Sequence, residues 1–284
     1  MLCARSRIAS ACIICIALIL WASNVKGAQA TVFHFVTNDG VVQNALYRME
    51  LGGSAGTLVG TIDYTGGVIW ELDSARAGTA YGIARGPDWV YEISLLTGEV
   101  VSTVPLDANI YTNGRGMATA PDGTLYGLFD VWDLRTIDPS TGRTTLVASV
   151  TGITGGIEAM CFAPDGTLYA AASPDTGASG SHLYTLDVSN GEMSLIGSIG
   201  NSYIDIDTMA FASDGYLYGV DTLGYDWTDL YRIDPSTGNK TFVTELYGGV
   251  NGLHFGPIPE PTTLSLVLFG ALGLTRMRHR REGL

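Results

Sequence analysis

The sequence predicts an all-β fold: a β-propeller of five blades, each of four antiparallel strands. Three observations predict it. A strand-like phrase recurs along the chain, its aligned positions Tyr47, Tyr91, Arg135, Tyr184 and Tyr231 lying 44, 44, 49 and 47 residues apart. Four different phrases of strand composition fill most periods, which is the content of one propeller blade. The junctions between phrases are turn sequences of the Pro-Asp-Gly and Asp-Pro-Ser-Thr-Gly kind. Proline presets φ, aspartate bonds the backbone two residues on, and glycine tolerates φ > 0.

The phrases justify the elements in turn. The first reads LYRMEL at 46–51, VYEISLLTG at 90–98, LRTIDPSTG at 134–142, LYTLDVSNG at 183–191 and LYRIDPSTG at 230–238. The phrase before it reads GTAYG at 78–82, PDGTLYG at 121–127, PDGTLYA at 164–170 and SDGYLYG at 213–219. The phrase after it runs through TLVGTI at 57–62, VVSTVPL at 100–106, TTLVASV at 144–150, MSLIGSI at 193–199 and TFVTEL at 241–246. The last comprises GGVIWELD at 66–73, GMATA at 116–120, GIEAMCFA at 156–163, IDTMAFA at 206–212 and GVNGLHFG at 249–256. One four-stranded blade cannot bury both of its faces, so neighbours must cover it, and a closed ring leaves no bare end.

The phrase containing "LYG" occurs one time fewer than the others, and VFHFVTNDG at 32–40 stands where the missing copy belongs. The chain therefore enters the ring in the second strand of a blade. Residues 249–256 supply that blade's first strand, so the two ends close the ring by pairing. An open β solenoid is the alternative. The PDGxLYG and IDPxTG turns resemble those of quinoprotein-like, NHL-like and WD40-like propellers, a resemblance that implies architecture and not activity.

The flanks of the ring carry different signals. Arg5 and Arg7 precede an apolar run from Ile8 to Ala22 and a small-residue site at Ala28-Gln29-Ala30. That order reads as a secretory signal peptide over residues 1–30, with a helical apolar part, cleaved after Ala30. The propeller domain then spans 31–257. At the other end, Pro259-Glu260-Pro261 is followed by the apolar run Leu264 to Leu274 and by Arg276, Arg278, Arg280 and Arg281. Residues 258–284 resemble the PEP-CTERM sorting signals of exopolysaccharide-producing bacteria. The resemblance implies a short transmembrane helix, a basic tail and recognition by an exosortase-type membrane protease. The apolar run spans roughly 20 Å, short of a bilayer core of about 30 Å, which suits a transient anchor better than a permanent one. Basic residues flanking membrane segments stay on the cytoplasmic side, so both signals place the ring outside the cytoplasm.

Composition narrows the partners. Of the 28 acidic residues only Glu260 and Glu282 lie outside the ring, which holds eight basic residues. A field so negative argues against nucleic acid and anionic lipid as partners, and is compatible with a cation or a neutral partner. Cys3, Cys12 and Cys15 belong to the signal, so Cys161 has no partner for an intramolecular disulfide and reads as a buried, inert thiol.

The sequence contains no H-E-x-x-H metal helix and no phosphate loop; no catalytic residue is assigned and no cofactor is required. His34 and His254 fall on the two segments expected to close the ring and should lie near each other as structural residues. Asp221, Asp226 and Asp229 share one loop region, with Asp205 and Asp207 upstream and Asp130 and Asp133 in the corresponding loop two blades earlier. Carboxylates gathered on one face could bind Ca²⁺, although turn formation is the more common use of such aspartates. Trp70, Trp89, Trp132, Tyr203, Tyr225 and Trp227 could stack on sugar rings or pack between blades.

The expectation is an exported, non-catalytic cell-envelope or extracellular-matrix protein. It is held first at the inner membrane by the C-terminal helix, then sorted to the surface or secreted. Exopolysaccharide and envelope proteins are the expected partners besides the exosortase. The alternative is a propeller enzyme acting on a sugar or lactone, with Ca²⁺ dependence.

Overall fold

The computed structural model describes residues 31–256, apart from 39–43, 64–67, 77, 85–87, 108–115, 131, 175–179, 201–204 and 223–226. The expected signal and C-terminal helices lie outside the described residues. Among the described residues, twenty strands, all antiparallel to their neighbours, form five sheets of four. Blade 2 holds β4 (Ile69–Ser74), β5 (Thr79–Ala84), β6 (Trp89–Ser94) and β7 (Val100–Pro105) in sequence order. Blade 3 holds β8 (Met117–Thr119), β9 (Leu125–Phe129), β10 (Asp133–Ile137) and β11 (Thr144–Ser149). Blade 4 holds β12 (Ile157–Phe162), β13 (Leu168–Ala172), β14 (His182–Leu186) and β15 (Met193–Ser198). Blade 5 holds β16 (Ile206–Phe211), β17 (Leu217–Thr222), β18 (Trp227–Ile233) and β19 (Lys240–Tyr247).

Blade 1 is composite, as the missing phrase predicts. β1 (Val32–Asn38), β2 (Ala45–Glu50) and β3 (Thr57–Thr61) come from the start of the ring, and the innermost strand, β20 (Gly249–His254), from its end. β20 pairs with β1 in the register His34 to His254, Phe35 to Leu253 and Val36 to Gly252. Each inner strand touches the next around the circle, so the ring is closed and the open-solenoid alternative is set aside.

The apolar alternation of each phrase explains where the core sits. Among the described residues there are five buried apolar clusters, each at a junction between neighbouring blades. Phe33, Leu253, Tyr218 and Val220 fill the junction of blades 5 and 1. Ile83, Val90, Met117, Leu125, Phe129 and Ile137 fill that of blades 2 and 3. Burial on this pattern contributes about 25 cal/mol per Å² of apolar surface, and only a closed ring buries both faces of every blade.

The turns behave as their composition predicts. In the Asp-Pro-Ser-Thr-Gly turn, Asp138 Oδ1 accepts the Ser140 N–H at 2.9 Å and its Oδ2 accepts the Thr141 hydroxyl at 2.8 Å. The Ser140 hydroxyl, which also donates to Oδ1 at 2.7 Å, is the strongest of the donors that hold the Asp138 carboxyl down at about 2. Gly142 ends the turn at φ 73°, and a Cβ there would strike the Pro105 carbonyl oxygen of the preceding blade. Its lack of a side chain therefore serves both the left-handed backbone and the close approach of two blades.

The outer edges are managed. In all five blades the pairing of the two outermost strands shifts register once, at Leu46/Tyr47, Glu92/Ile93, Leu134/Arg135, Leu183/Tyr184 and Leu230/Tyr231. Such bulges increase local twist and make an edge a poor template for further pairing. They matter because Leu58, Val101, Leu146, Leu195 and Phe242 stand exposed on those strands.

Candidate functional site

The inner strands bring their side chains to the ring axis, so equivalent positions can be compared blade by blade. Leu72, Met117, Met160, Met209 and Leu253 are equivalent, since they pair with Gly82, Gly127, Ala170, Gly219 and Phe35 of the second strands. One residue earlier the five positions read Glu71, Gly116, Ala159, Thr208 and Gly252. One residue later they read Asp73, Ala118, Cys161, Ala210 and His254. Residues two apart share a strand face, so these two sets form successive layers.

The deeper layer is plugged. Glu71 is buried, and its Oε2 accepts the Thr208 hydroxyl at 3.0 Å, linking blade 2 to blade 5 past blade 1. Gly252 of blade 1 makes this passage possible. A Cβ there would lie 2.9 Å from the Leu72 Cβ and 3.1 Å from the Glu71 carbonyl carbon.

The outer layer floors a cavity of about 400 Å³ at the tight-turn end of the inner strands. Asp73, Cys161 and His254 line it, with Phe162, Phe211 and Phe255 from three successive blades. Each phenylalanine also packs on a tyrosine of the blade before it: Tyr126 at 5.4 Å, Tyr169 at 6.2 Å and Tyr218 at 4.8 Å between centroids. The rings are thereby fixed. Asp73 Oδ2 accepts the Thr119 N–H at 2.7 Å from blade 3, and its Oδ1 accepts the Ser74 N–H at 2.5 Å. Burial pushes this carboxyl up to about 6 despite the pull of those two donors. The Cys161 thiol is buried and pushed well above its usual range by burial and then by Asp73 and Glu71, which fits the inert role expected of it.

His34 and His254 meet as expected, with ring centroids 6.4 Å apart. Burial, followed by the Arg48 charge, lowers His34 to about 4; burial, followed by His34, lowers His254 to about 3. Both are neutral at neutral pH.

At the other end of blade 5, Asp221 pairs across the sheet with Asp229 and with Ile206. Asp221 is 4% exposed, and its Oδ2 has no hydrogen-bond partner. Burial, and then the charge of Asp207 with smaller pushes from Asp205 and Asp229, raise it to about 6 against the pull of the Asp205 N–H. The neighbours have other bonds: Asp207 accepts the Thr222 N–H at 3.0 Å, Asp229 the Tyr231 hydroxyl at 2.9 Å, and Asp205 the Gly180 N–H at 3.3 Å. Asp226, the third residue of the expected calcium trio, lies outside the described residues. Among the described residues, no three acidic, histidine or cysteine side chains converge in metal-holding geometry. Asp133 is committed to Arg135 at 3.3 Å and to the Ser149 hydroxyl at 3.2 Å. Asp130 serves its turn at φ 48°.

The aromatic candidates divide. Trp132 packs against the cluster between blades 3 and 4, and Trp70 is half-buried on β4. Trp89 and Trp227 are exposed at the start of the third strands of their blades, beside Tyr91 and Tyr247 respectively. Tyr203 and Tyr225 lie outside the described residues. Sequence reasoning missed Asp73, Glu71 and the three phenylalanines, because their phrases read simply as strands. The available signal was a carboxylate in each of two aligned columns otherwise free of them.

Fold and site together define a five-bladed β-propeller with a plugged channel and one acidic, aromatic-walled mouth. No family model matches the chain, and neither does any curated protein. Among solved structures it is similar to a protein of unknown function from Bacteroides thetaiotaomicron, with TM-score 0.53 and 17% identity over 78% of this chain and 56% of that one. The chain thus spans little more than half of that relative. It is also similar to a protein of unknown function from Bacteroides caccae, with TM-score 0.50 and 15% identity over 82% of this chain and 100% of that one. A calcium-binding protein, regucalcin from Agrobacterium tumefaciens, aligns with TM-score 0.42 and 13% identity over 77% of this chain and 71% of that one. These likenesses concern the propeller architecture.

Proposed function

We propose that the chain is an exported, non-catalytic protein of the cell envelope or extracellular matrix, sorted by an exosortase-type membrane protease, with the ring as its binding or scaffolding module. The observation that carries this reading is where the ring lies in the chain. β1 opens at Val32, just past Ala30, and β20 closes at His254, just before Pro259. Every strand pair falls between the two expected processing points, so removal of both flanks leaves all five sheets complete. The exposed rings of Trp89 and Trp227 offer stacking surfaces to an exopolysaccharide partner. The inert Cys161 thiol and the two neutral, buried histidines favour binding over catalysis.

The enzyme alternative, acting on a sugar or lactone, draws its support from Asp73. A carboxyl near 6 lining an open cavity is suited to general acid–base work. Hydrolysis of a lactone panel by wild type but not by Asp73→Asn would establish it.

Intact mass of the protein from membrane and secreted fractions tests the main reading. A secreted chain beginning at Thr31 and ending near Pro259 is the expected result. A chain extending through Leu284 and found only in membranes would overturn the sorting step.

A further inference from the structure

We propose that the channel mouth binds a small organic cation, its ammonium group held by the Asp73 carboxylate and enclosed by Phe162, Phe211 and Phe255. The inference deepens the reading of the ring as a binding module and does not depend on export.

The chemistry of the lining selects the ligand. Among the described residues no lysine or arginine lines the cavity, and His254, which does, is neutral at neutral pH. Among the described residues the acidic groups at and below the mouth are Asp73 and Glu71, and Asp73 is ionised at neutral pH, so it makes the local field negative. Asp73 presents a carboxylate already oriented by two backbone N–H donors from neighbouring residues of blades 2 and 3. A pre-oriented carboxylate needs no reorganisation to accept a further donor or cation. The three phenylalanines are held against tyrosines of the adjoining blades, so they present rigid aromatic surface at the same opening. Aromatic faces attract a cation through their quadrupole, and the attraction strengthens where water is excluded. Apolar walls of this kind suit an alkylammonium better than a hydrated metal ion, which needs several oxygen ligands. The volume of about 400 Å³ falls within the range of small-molecule sites. The Glu71–Thr208 hydrogen bond crosses the ring below this cavity.

The test uses the full chain and choline as the probe, followed by calorimetry or by ligand-observed NMR. The neutral isostere 3,3-dimethylbutan-1-ol serves as control. Choline is expected to saturate one site, with the isostere and the Asp73→Asn variant each weaker by about tenfold or more. Phe211→Leu, which keeps apolar bulk but removes the ring, is expected to weaken choline by a smaller factor. Binding should fall as pH drops through about 6, where Asp73 takes up a proton. Among the groups facing it, Cys161 and Tyr81 titrate higher and His254 lower, and Asp73→Asn separates the profile of Asp73 from that of Glu71, which lies below on the same strand. Absence of saturable choline binding, equal binding of the isostere, or unchanged affinity in Asp73→Asn would overturn the proposal. Any of these leaves the export reading standing, since that is decided by the mass of the processed chain.

Discussion

Asp73 and Asp221 stand at opposite ends of the inner blade structure, and each is pushed up to about 6. Their surroundings differ in kind. Asp73 is a carboxylate among phenylalanines, with two backbone donors on it. Asp221 has an oxygen without a partner and is surrounded by Asp205, Asp207 and Asp229. Burial is the leading cause in both, but the second influence has opposite sign: donors pull Asp73 down, and like charges push Asp221 further up. The same shift therefore marks a satisfied group at the mouth and a strained one at the far face.

The comparison requires the two ends to be separate, and Gly252→Val attacks that separation directly. Its side chain would collide with Leu72 and the Glu71 backbone at the plug. The expected cost is about 3 kcal/mol or more, at the upper end for overpacking against backbone, read as a lower urea midpoint at unchanged slope.

Neutralising each aspartate sharpens the contrast. A raised folded-state pKa means that the group's stabilising contribution is present below its unfolded pKa and is lost as pH rises through about 6. Asp221→Asn should therefore stabilise the ring at pH 8 by up to about 3 kcal/mol and change little at pH 4. Asp73→Asn should gain less, on the order of 1 kcal/mol or nothing, because the amide keeps one acceptor oxygen and turns its NH2 toward either the Thr119 or the Ser74 N–H. Equal gains at both sites, measured by denaturation across that pH range, would show that the neighbouring aspartates do not matter.

The smallest expected effect is that of calcium. If Ca²⁺ occupies the Asp221 side with millimolar affinity, ten millimolar should add about 1.4 kcal/mol, seen as a rise of a few degrees in Tm. The rise should vanish in Asp221→Asn and persist in Asp73→Asn. No thermal shift in wild type would dispose of the calcium reading.

Much of the ring was legible because its signals are local and repeated. The Asp138 turn, the five copies of the outer phrase and the truncated first repeat each report structure set within a few residues. The meeting of His34 and His254 followed from closure alone. The mouth was not legible in the same way. Whether Asp73 reaches an aromatic cavity or solvent depends on Phe162, Phe211 and Phe255, which arrive from three later blades. Asp221, by contrast, was singled out from its neighbours in sequence, yet its missing hydrogen-bond partner depends on how β16, β17 and β18 pack. Aligning the inner strands column by column would have exposed Glu71 and Asp73 as departures from small or uncharged residues.

Blade 1 also dictates an order of events during folding. Blades 2 to 5 are built from strands that follow one another, so each can form as soon as its own segment is available. β1 cannot find its inner neighbour until residues 249–254 have been made, since His34 must pair with His254. Each doubling of the closed loop adds only about 0.6 kcal/mol of entropy, so the delay arises from sequence distance and contact order far more than from energetic cost. Until that moment β1 presents Phe33, Phe35 and Val36 on an unpaired inner edge. A chain threaded through a pore from its N-terminus would therefore remain open through most of its passage and close last at the strand that began it.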